Sequence, residues 1–409
     1  MHKRIIEQIL QQYSGRIRAY LIRLVSNIDD AEDLLQEVKI KAWYHWQSEI
    51  PAAPQAWLYK VARNKAIDFL RQCRQPVEYI EEQQFSDIDD EQLSSLLDDE
   101  LLKLIFICCH PSLDPAAQVA LTLRLVLNFS LEQTARALLV KPKAMEQRLL
   151  RARQKISQAG IAYSIPHDKH LYQRLNSVLT CLYLLFNEGY VATAQSELMS
   201  RELCKLAMSL TELIANHYAN NAEVLGLWSL MLILDGRAQA RVKLDGAIVP
   251  LYEQQRSLWV LEQIQAGQTI LDSSLALKQC PGPFQLQAAI ASLQCDNQSG
   301  IHWPEILMLY DKLWQLSKSH VVAVNRVVVL IKLNAFNAAK RELEQLVEPL
   351  KHYHPFYLVR AEYYHQLGDK SRVGDDLQLA YQLTQNQSER EFIQQLLLRN
   401  DEQFSGRCH

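Results

Sequence analysis

Between Asp29 and Arg74 the residues recur in a pattern that only two amphipathic helices joined by a proline-bearing turn can satisfy. From Asp30 to Trp46, Ala31, Leu34, Leu35, Val38 and Ala42 return at three- and four-residue steps. One face is therefore apolar, and Glu32, Asp33, Gln36 and Glu37 are expected in water. The acids crowd the opening turn, which suits the positive end of the helix dipole, with Asp29 or Asp30 as the expected N-cap. The second helix, from Ala53 to about Arg74, places Trp57, Leu58, Val61, Ala62, Ile67, Phe69 and Leu70 among Lys60, Arg63, Lys65, Arg71 and Arg74. One helix is acid-tipped and the next is basic. A preceding helix from about Lys3 to Asn27, marked by Ile5, Ile9, Leu10, Ile17, Leu21 and Leu24, completes a first domain over residues 1–75.

The net charge of -3 conceals a strong local segregation. Lys plus Arg against Asp plus Glu stand at 12 and 8 over residues 1–75, 1 and 11 over 76–114, and 8 and 2 over 115–160. Two basic blocks thus flank an acidic connector, and a nucleic-acid binder needs this kind of local field rather than a global one. Residues 76–92, polar and without a helical stripe, read as a linker. The eight cysteines include no C-x-x-C pair, and Cys108-Cys109-His110 reads as buried thiols rather than a metal site. No long uncharged apolar run occurs, and the first residues lack the apolar centre of a signal peptide, so a cytoplasmic protein without a membrane segment is expected.

Over 93–160 a helix to His110 is broken by Pro111 and Pro115, and three more follow: Ala116 to Asn128, Ser130 to about Leu139, and Lys143 to about Gln158. Ser130 and Gln133 form a capping box, and Pro142 suits a first helical position. Helix, short turn and helix is a DNA-reading unit whose second helix enters the major groove. On that helix Met145, Leu149, Ala152 and Ile156 share one face, leaving Lys143, Gln147, Arg148, Arg151 and Lys155 outside. Leu139 occupies the turn, where glycine is common.

Residues 161–409 read as successive helical hairpins without a basic excess. Phe356, Ala361, Tyr364, Leu367-Gly368-Asp369, Ala380 and Leu383 are spaced like one tetratricopeptide unit, and Arg241 to Val249 alternates about Asp245-Gly246 as a small β-hairpin would. Nothing matches a nucleophile elbow, a phosphate loop or H-E-x-x-H, so no catalysis and no cofactor are expected.

The run DAEDLLQEVKIKAW followed by AWLYKVARNKAIDFLR resembles region 2 of the extracytoplasmic-function sigma factors of bacterial RNA polymerase, and LTLRLVLNFSLEQTARALLVKPKAMEQRLLRARQKI resembles their region 4. LYLLFNEGY at 182–190, the stretch 237–259 and PGPFQLQAAIASL at 281–293 resemble the subgroup with a long tetratricopeptide-like C-terminal domain. The resemblance implies an all-α protein: a region 2 bundle (1–75), an acidic linker (76–92), a region 4 helix-turn-helix domain (93–160) and a C-terminal helical-repeat domain (161–409). It implies that Asp30, Glu32, Asp33, Gln36 and Glu37 meet core polymerase. Lys60, Arg63, Asn64, Lys65 and Arg71 would face promoter DNA on the -10 side. Lys141, Lys143, Gln147, Arg148 and Arg151 would face the -35 side. The short, prolyl loop from Gln47 to Gln55 departs from the family, where a longer loop captures a -10 base. Asn187, Glu188, Arg241, Glu253 and Arg256 are candidates for a regulatory pocket taking a ligand or protein partner; internal pairing is the competing reading. A stand-alone helix-turn-helix regulator and a repeat scaffold with a sigma-like head are the alternatives.

Overall fold

A computed structural model describes residues 2–73, 90–138, 140–158, 169–191, 197–241, 249, 251–295, 301–384 and 387–405. Its described residues form helices and turns, in two units, 1–188 and 189–409. The linker expected over 76–92 lies almost wholly outside the described residues, as do the hairpin about Asp245-Gly246 and the turn residue Leu139.

The first unit is organised on α1 (His2–Val25). Ile17, Tyr20 and Leu21 are buried, and so are Ser14 and Arg18, because α1 is covered on several sides. It meets α2 (Ile28–His45), α3 (Pro54–Gln72), α4 (Asp90–Cys108) and a π turn (Thr122–Val126) that follows α5 (Pro115–Leu121). Gly15 is where the backbone comes closest: a Cβ there would sit 2.1 Å from the carbonyl oxygen of Val126. Glycine is therefore required, despite its poor helix propensity. Ion pairs join α1 to α4, Arg16 to Asp98 and Arg23 to the buried Glu100, the latter at 3.6 Å.

The single helix expected from Ala116 to Asn128 is instead α5 plus the π turn. The N–H of Leu127 reaches back five residues to Thr122, that of Phe129 reaches Leu123, and Asn128 is left-handed at φ 57°. Asparagine tolerates that conformation better than most residues. Thr122 also returns its hydroxyl to the Gln118 carbonyl at 2.9 Å, a local bond that competes with regular helix. Then come α6 (Leu131–Ala137), α7 (Pro142–Gln158) and α8 (Lys169–Val191). Cys108 and Cys109 are buried thiols, as read from the sequence, and Cys181 is buried as well; burial raises Cys108 well above its ordinary value.

The second unit runs through α9 (Glu197–His217), α10 (Ala222–Gly236), α11 (Leu261–Ala276), α12 (Pro283–Leu293), α13 (Trp303–Ser317), α14 (His320–Lys332), α15 (Phe336–Leu346), α16 (His354–Gln366), α17 (Lys370–Leu383) and α18 (Gln387–Ser405). Helix α11 begins only at Leu261, well after the end of α10. Residues 251–258 form short 3-10 turns instead, because Val260 donates its N–H to Gly236 at 2.8 Å and pins that connection to the end of α10. Glu223 of α10 accepts the N–H groups of Phe284 and Gln285, both at 3.0 Å, and so caps α12 from a neighbouring helix. The hairpin of α16 and α17 turns at Gly368, φ 76°, and is tied by Arg360 to the buried Asp376. Phe356, Ala361 and Ala380 lie in its core, as their spacing predicts, whereas Leu367 is half exposed at the turn.

Candidate nucleic-acid interface

The N-cap of α2 is Asn27, whose side chain accepts the N–H groups of Asp29 (2.8 Å) and Asp30 (3.3 Å). The helix thus starts earlier than its acids suggested, and Asp29 and Asp30 sit inside the first turn, where negative charge is favoured. Ala31, Leu34, Leu35, Val38 and Ala42 are its buried face, as expected. On α3, Leu58, Tyr59, Val61, Ala62, Ala66 and Leu70 are buried, with Tyr59 stacked 4.6 Å from Tyr20. Lys60, Asn64 and Arg71 are exposed. Lys65 reaches across to Glu37 of α2 at 2.5 Å.

The two helices expected on either side of the turn are formed, α6 ending at Ala137 and α7 beginning at Pro142. Ser130 N–H donates to Gln133 Oε1 (2.7 Å), and Gln133 N–H donates to Ser130 Oγ (3.1 Å), closing the capping box ahead of α6. Met145, Leu149, Ala152 and Ile156 bury one face of α7. Lys141, Lys143, Gln147 and Arg151 stand in solvent, and Arg148 is half-buried.

One buried guanidinium lies at the centre of the contacts between the two basic blocks. Arg18, 1% exposed, donates Nε to Glu32 (2.8 Å), Nη1 to the Leu125 carbonyl (2.5 Å) and Nη2 to Asn128 Oδ1 (2.7 Å). Asn128 Oδ1 also accepts from Lys39 at 3.2 Å, and its amide donates to Gln11 at 3.0 Å. Nearer the surface, Arg153 of α7 pairs with Asp29 of α2 at 2.9 Å. A groove runs between Asn27 and Asp29 on one side and Lys143, Gln147, Leu150 and Arg153 on the other.

Burial, reinforced by the Arg18 charge, pushes Lys39 down to about 8, against the opposing pull of Glu32; Arg124 adds to the depression. Between about pH 8 and 10.5 the unfolded chain still holds a proton that folded Lys39 has released, so stability from this site rises with pH across that window. Below it, the folded state bears the cost of a buried ammonium. Urea midpoints of wild type and Lys39→Met are thus expected to differ by an amount that changes over this window; a constant difference would show Lys39 to titrate normally.

Residues 9–75 match sigma-70 region 2, residues 103–156 match sigma-70 region 4, and residues 174–275 match a family of unknown function, DUF6596. The chain is 36% identical to the uncharacterized protein R00370 of Rhizobium meliloti (strain 1021), over 92% of this chain and 91% of that one. It is 35% identical over 72 residues to the ECF RNA polymerase sigma factor SigM of Bacillus subtilis (strain 168), covering 18% of this chain and 44% of SigM. To the ECF RNA polymerase sigma factor SigE of Mycolicibacterium smegmatis it is 26% identical over 37% of this chain and 59% of SigE. These matches to named sigma factors span less than two thirds of either partner. The chain belongs to the extracytoplasmic-function sigma-70 family. No solved structure matches it.

Within this sigma factor, two residues expected at outer surfaces turn inward. Glu32 is drawn to Arg18, its side chain only 15% exposed. Arg63 is half-buried, with Nε and Nη2 lacking acceptors. Among the expected pocket residues, Asn187 is half-buried in the first unit, and the side chain of Glu188 lies outside the described residues. Arg241, half-buried, and Glu253 and Arg256, both exposed, belong to the second unit. Sequence reasoning passed over Arg18, Asn27, Asn128 and Arg153. The available signal was an asparagine at the end of each of two apolar runs, where a cap or a left-handed residue is at a premium. Among the described residues, no helix is long and apolar enough to cross a membrane.

Proposed function

We propose that this sigma factor binds core RNA polymerase in the cytoplasm and directs promoter-specific initiation, without catalysis of its own, under control of its C-terminal domain. The observation that carries the reading is the pairing of an acid-tipped helix, α2, with two separate basic helices inside the region 2 and region 4 matches. Asp30, Asp33, Gln36 and Glu37 would meet polymerase, Glu32 joining them once Arg18 lets it go. Lys60, Asn64, Lys65 and Arg71, with Arg63 after rotation, would face the -10 side. Lys141, Lys143, Gln147, Arg148 and Arg151 would face the -35 side, where Arg and Gln can read base edges and Lys can neutralise phosphates. The described packing ties Glu32 and Arg153 into internal pairs, so it is a resting pose that must loosen before both surfaces work together.

The deciding experiment is capture of purified core polymerase followed by run-off transcription. Asp33→Arg is expected to weaken capture on the order of tenfold or more, because Asp33 is exposed and a reversed charge opposes docking. Its thermal stability should hold within about 0.5 kcal/mol. Equal losses of stability and capture would reduce α2 to a structural helix, and tight promoter binding without core would favour a stand-alone regulator. In the same assay, transcription by residues 1–191 that equals that of the full chain under every condition would remove the proposed control by the C-terminal domain.

A further inference from the structure

We propose that the second unit binds a small oxyanion, a carboxylate or a phosphate group, against Arg237 and Trp259. Arg237 closes the C-terminal end of α10 and is 5% exposed. Its guanidinium keeps Nε and Nη1 without an acceptor. The nearby Asp235 carboxylate accepts from Gln263 at 2.9 Å and leaves those two guanidinium nitrogens unpaired. Cys295 takes a hydrogen bond from the guanidinium, but burial raises this thiol and keeps it neutral, so it brings no counter-charge. The carboxyl end of a helix offers only a partial negative charge. A guanidinium cannot escape by losing its proton, and a buried charge without a partner is strongly unfavourable.

The connection that follows α10 adds two further donors. The bond from Val260 N–H to the Gly236 carbonyl brings the main chain of Trp259 next to that of Arg237, and the indole N–H of Trp259, in a ring 6% exposed, also lacks an acceptor. Arg256 lies over that ring, Cζ 5.1 Å from its centroid, and acts electrostatically on Cys295 together with Arg237. A buried guanidinium, an orphaned indole N–H and a second, exposed guanidinium at the rim form a donor set with positive charge. A planar or tetrahedral oxyanion would satisfy the buried donors with paired, charge-assisted hydrogen bonds, leaving the body of the ligand toward Arg256 and solvent. The site belongs to the connection following α10, within the DUF6596 match.

The test is thermal melting of the full chain titrated with inorganic phosphate and, separately, with acetate, at ionic strength held constant with chloride. A saturable rise in melting temperature with either anion is expected. Arg237→Met should abolish that rise while melting at or above the anion-free wild type, since an apolar side chain of similar length fits a buried site without a counter-charge. Arg256→Gln should weaken the response on the order of tenfold. Response to phosphate alone assigns a phosphorylated ligand, and response to acetate alone a carboxylate. No saturable response to either, or one that survives Arg237→Met, overturns the proposal. Should Arg237→Met not fold, an unchanged titration in Arg256→Gln overturns it. Binding is read on the chain alone, so it stands or falls separately from polymerase and promoter binding.

Discussion

Arg18→Ala is expected to destabilise the first unit by about 3–5 kcal/mol, the range for removing one partner of a buried ion pair. Three acceptors lose a donor at once, the Glu32 carboxylate, the Leu125 carbonyl and Asn128 Oδ1, of which Asn128 Oδ1 keeps Lys39. A cavity is left among side chains that are themselves buried, which adds to the loss. Burial lowers the proton affinity of Arg18, Glu32 opposes this, and the group stays charged. Arg18→Lys keeps the charge but cannot hold three acceptors with a planar fork, so it should fall between wild type and alanine. Urea unfolding followed by helical circular dichroism measures all three. A loss below about 1 kcal/mol for alanine, the size of an exposed pair, would mean that Arg18 is not what joins α1 to the π turn.

Gly15→Ala should act at the same junction from the opposite direction. Alanine is the better helix former by roughly 1 kcal/mol, so at an unconstrained position this change would stabilise α1. Here the new Cβ would lie 2.1 Å from Val126 O and 3.2 Å from Val126 C, both main-chain atoms that no rotamer change can move aside. A net loss of about 2–4 kcal/mol is expected, with faster amide exchange at Leu127 and Phe129, whose N–H groups close the π turn. Since the proposed resting pose depends on this approach, activity per folded molecule in run-off transcription should rise even as stability falls. Stabilisation by alanine would show that α1 and the π turn are not in contact in solution.

The α2 face was legible because its information is local: five apolar positions at helical spacing admit one orientation, and all five are buried. The capping box and the apolar face of α7 were readable for the same reason. What escaped was set by partners far away in sequence. Arg18 looks like an ordinary surface arginine within IRAYLIRLV, and only an acceptor 107 residues later makes it the centre of a core. Glu32 and Arg63 have the helical phase of exposed residues, yet both respond to what α1 places beneath them. LTLRLVLN has an uninterrupted helical composition, so nothing in it announces a π turn or a left-handed Asn128. The sigma-like stretches were recognisable from ordered motifs. The buried donors of Arg237 and Trp259 were not, because a charge lacking a partner shows only once the chain is folded.

A π turn is a helix with one residue too many, and at Thr122–Val126 that surplus has a consequence for how this protein can diverge. The groups that the turn and the two residues after it present to α1 are mostly main-chain carbonyls: Leu125 to Arg18, Val126 to Gly15, Leu127 and Asn128 to Gln11; only the Asn128 side chain adds contacts of its own, to Arg18 and Gln11. Carbonyls are blind to side-chain identity, so one apolar residue can drift into another across this segment without disturbing what α1 meets. Length has no such latitude. Deleting a single residue would restore a regular helix, rotate everything after it by about 100° and withdraw the acceptors. Between Thr122 and Val126 the joint is therefore written in the number of residues rather than in their kinds, tolerant of apolar exchange and intolerant of insertion or loss, whereas Gly15, Arg18 and Asn128 on either side of it are fixed by kind.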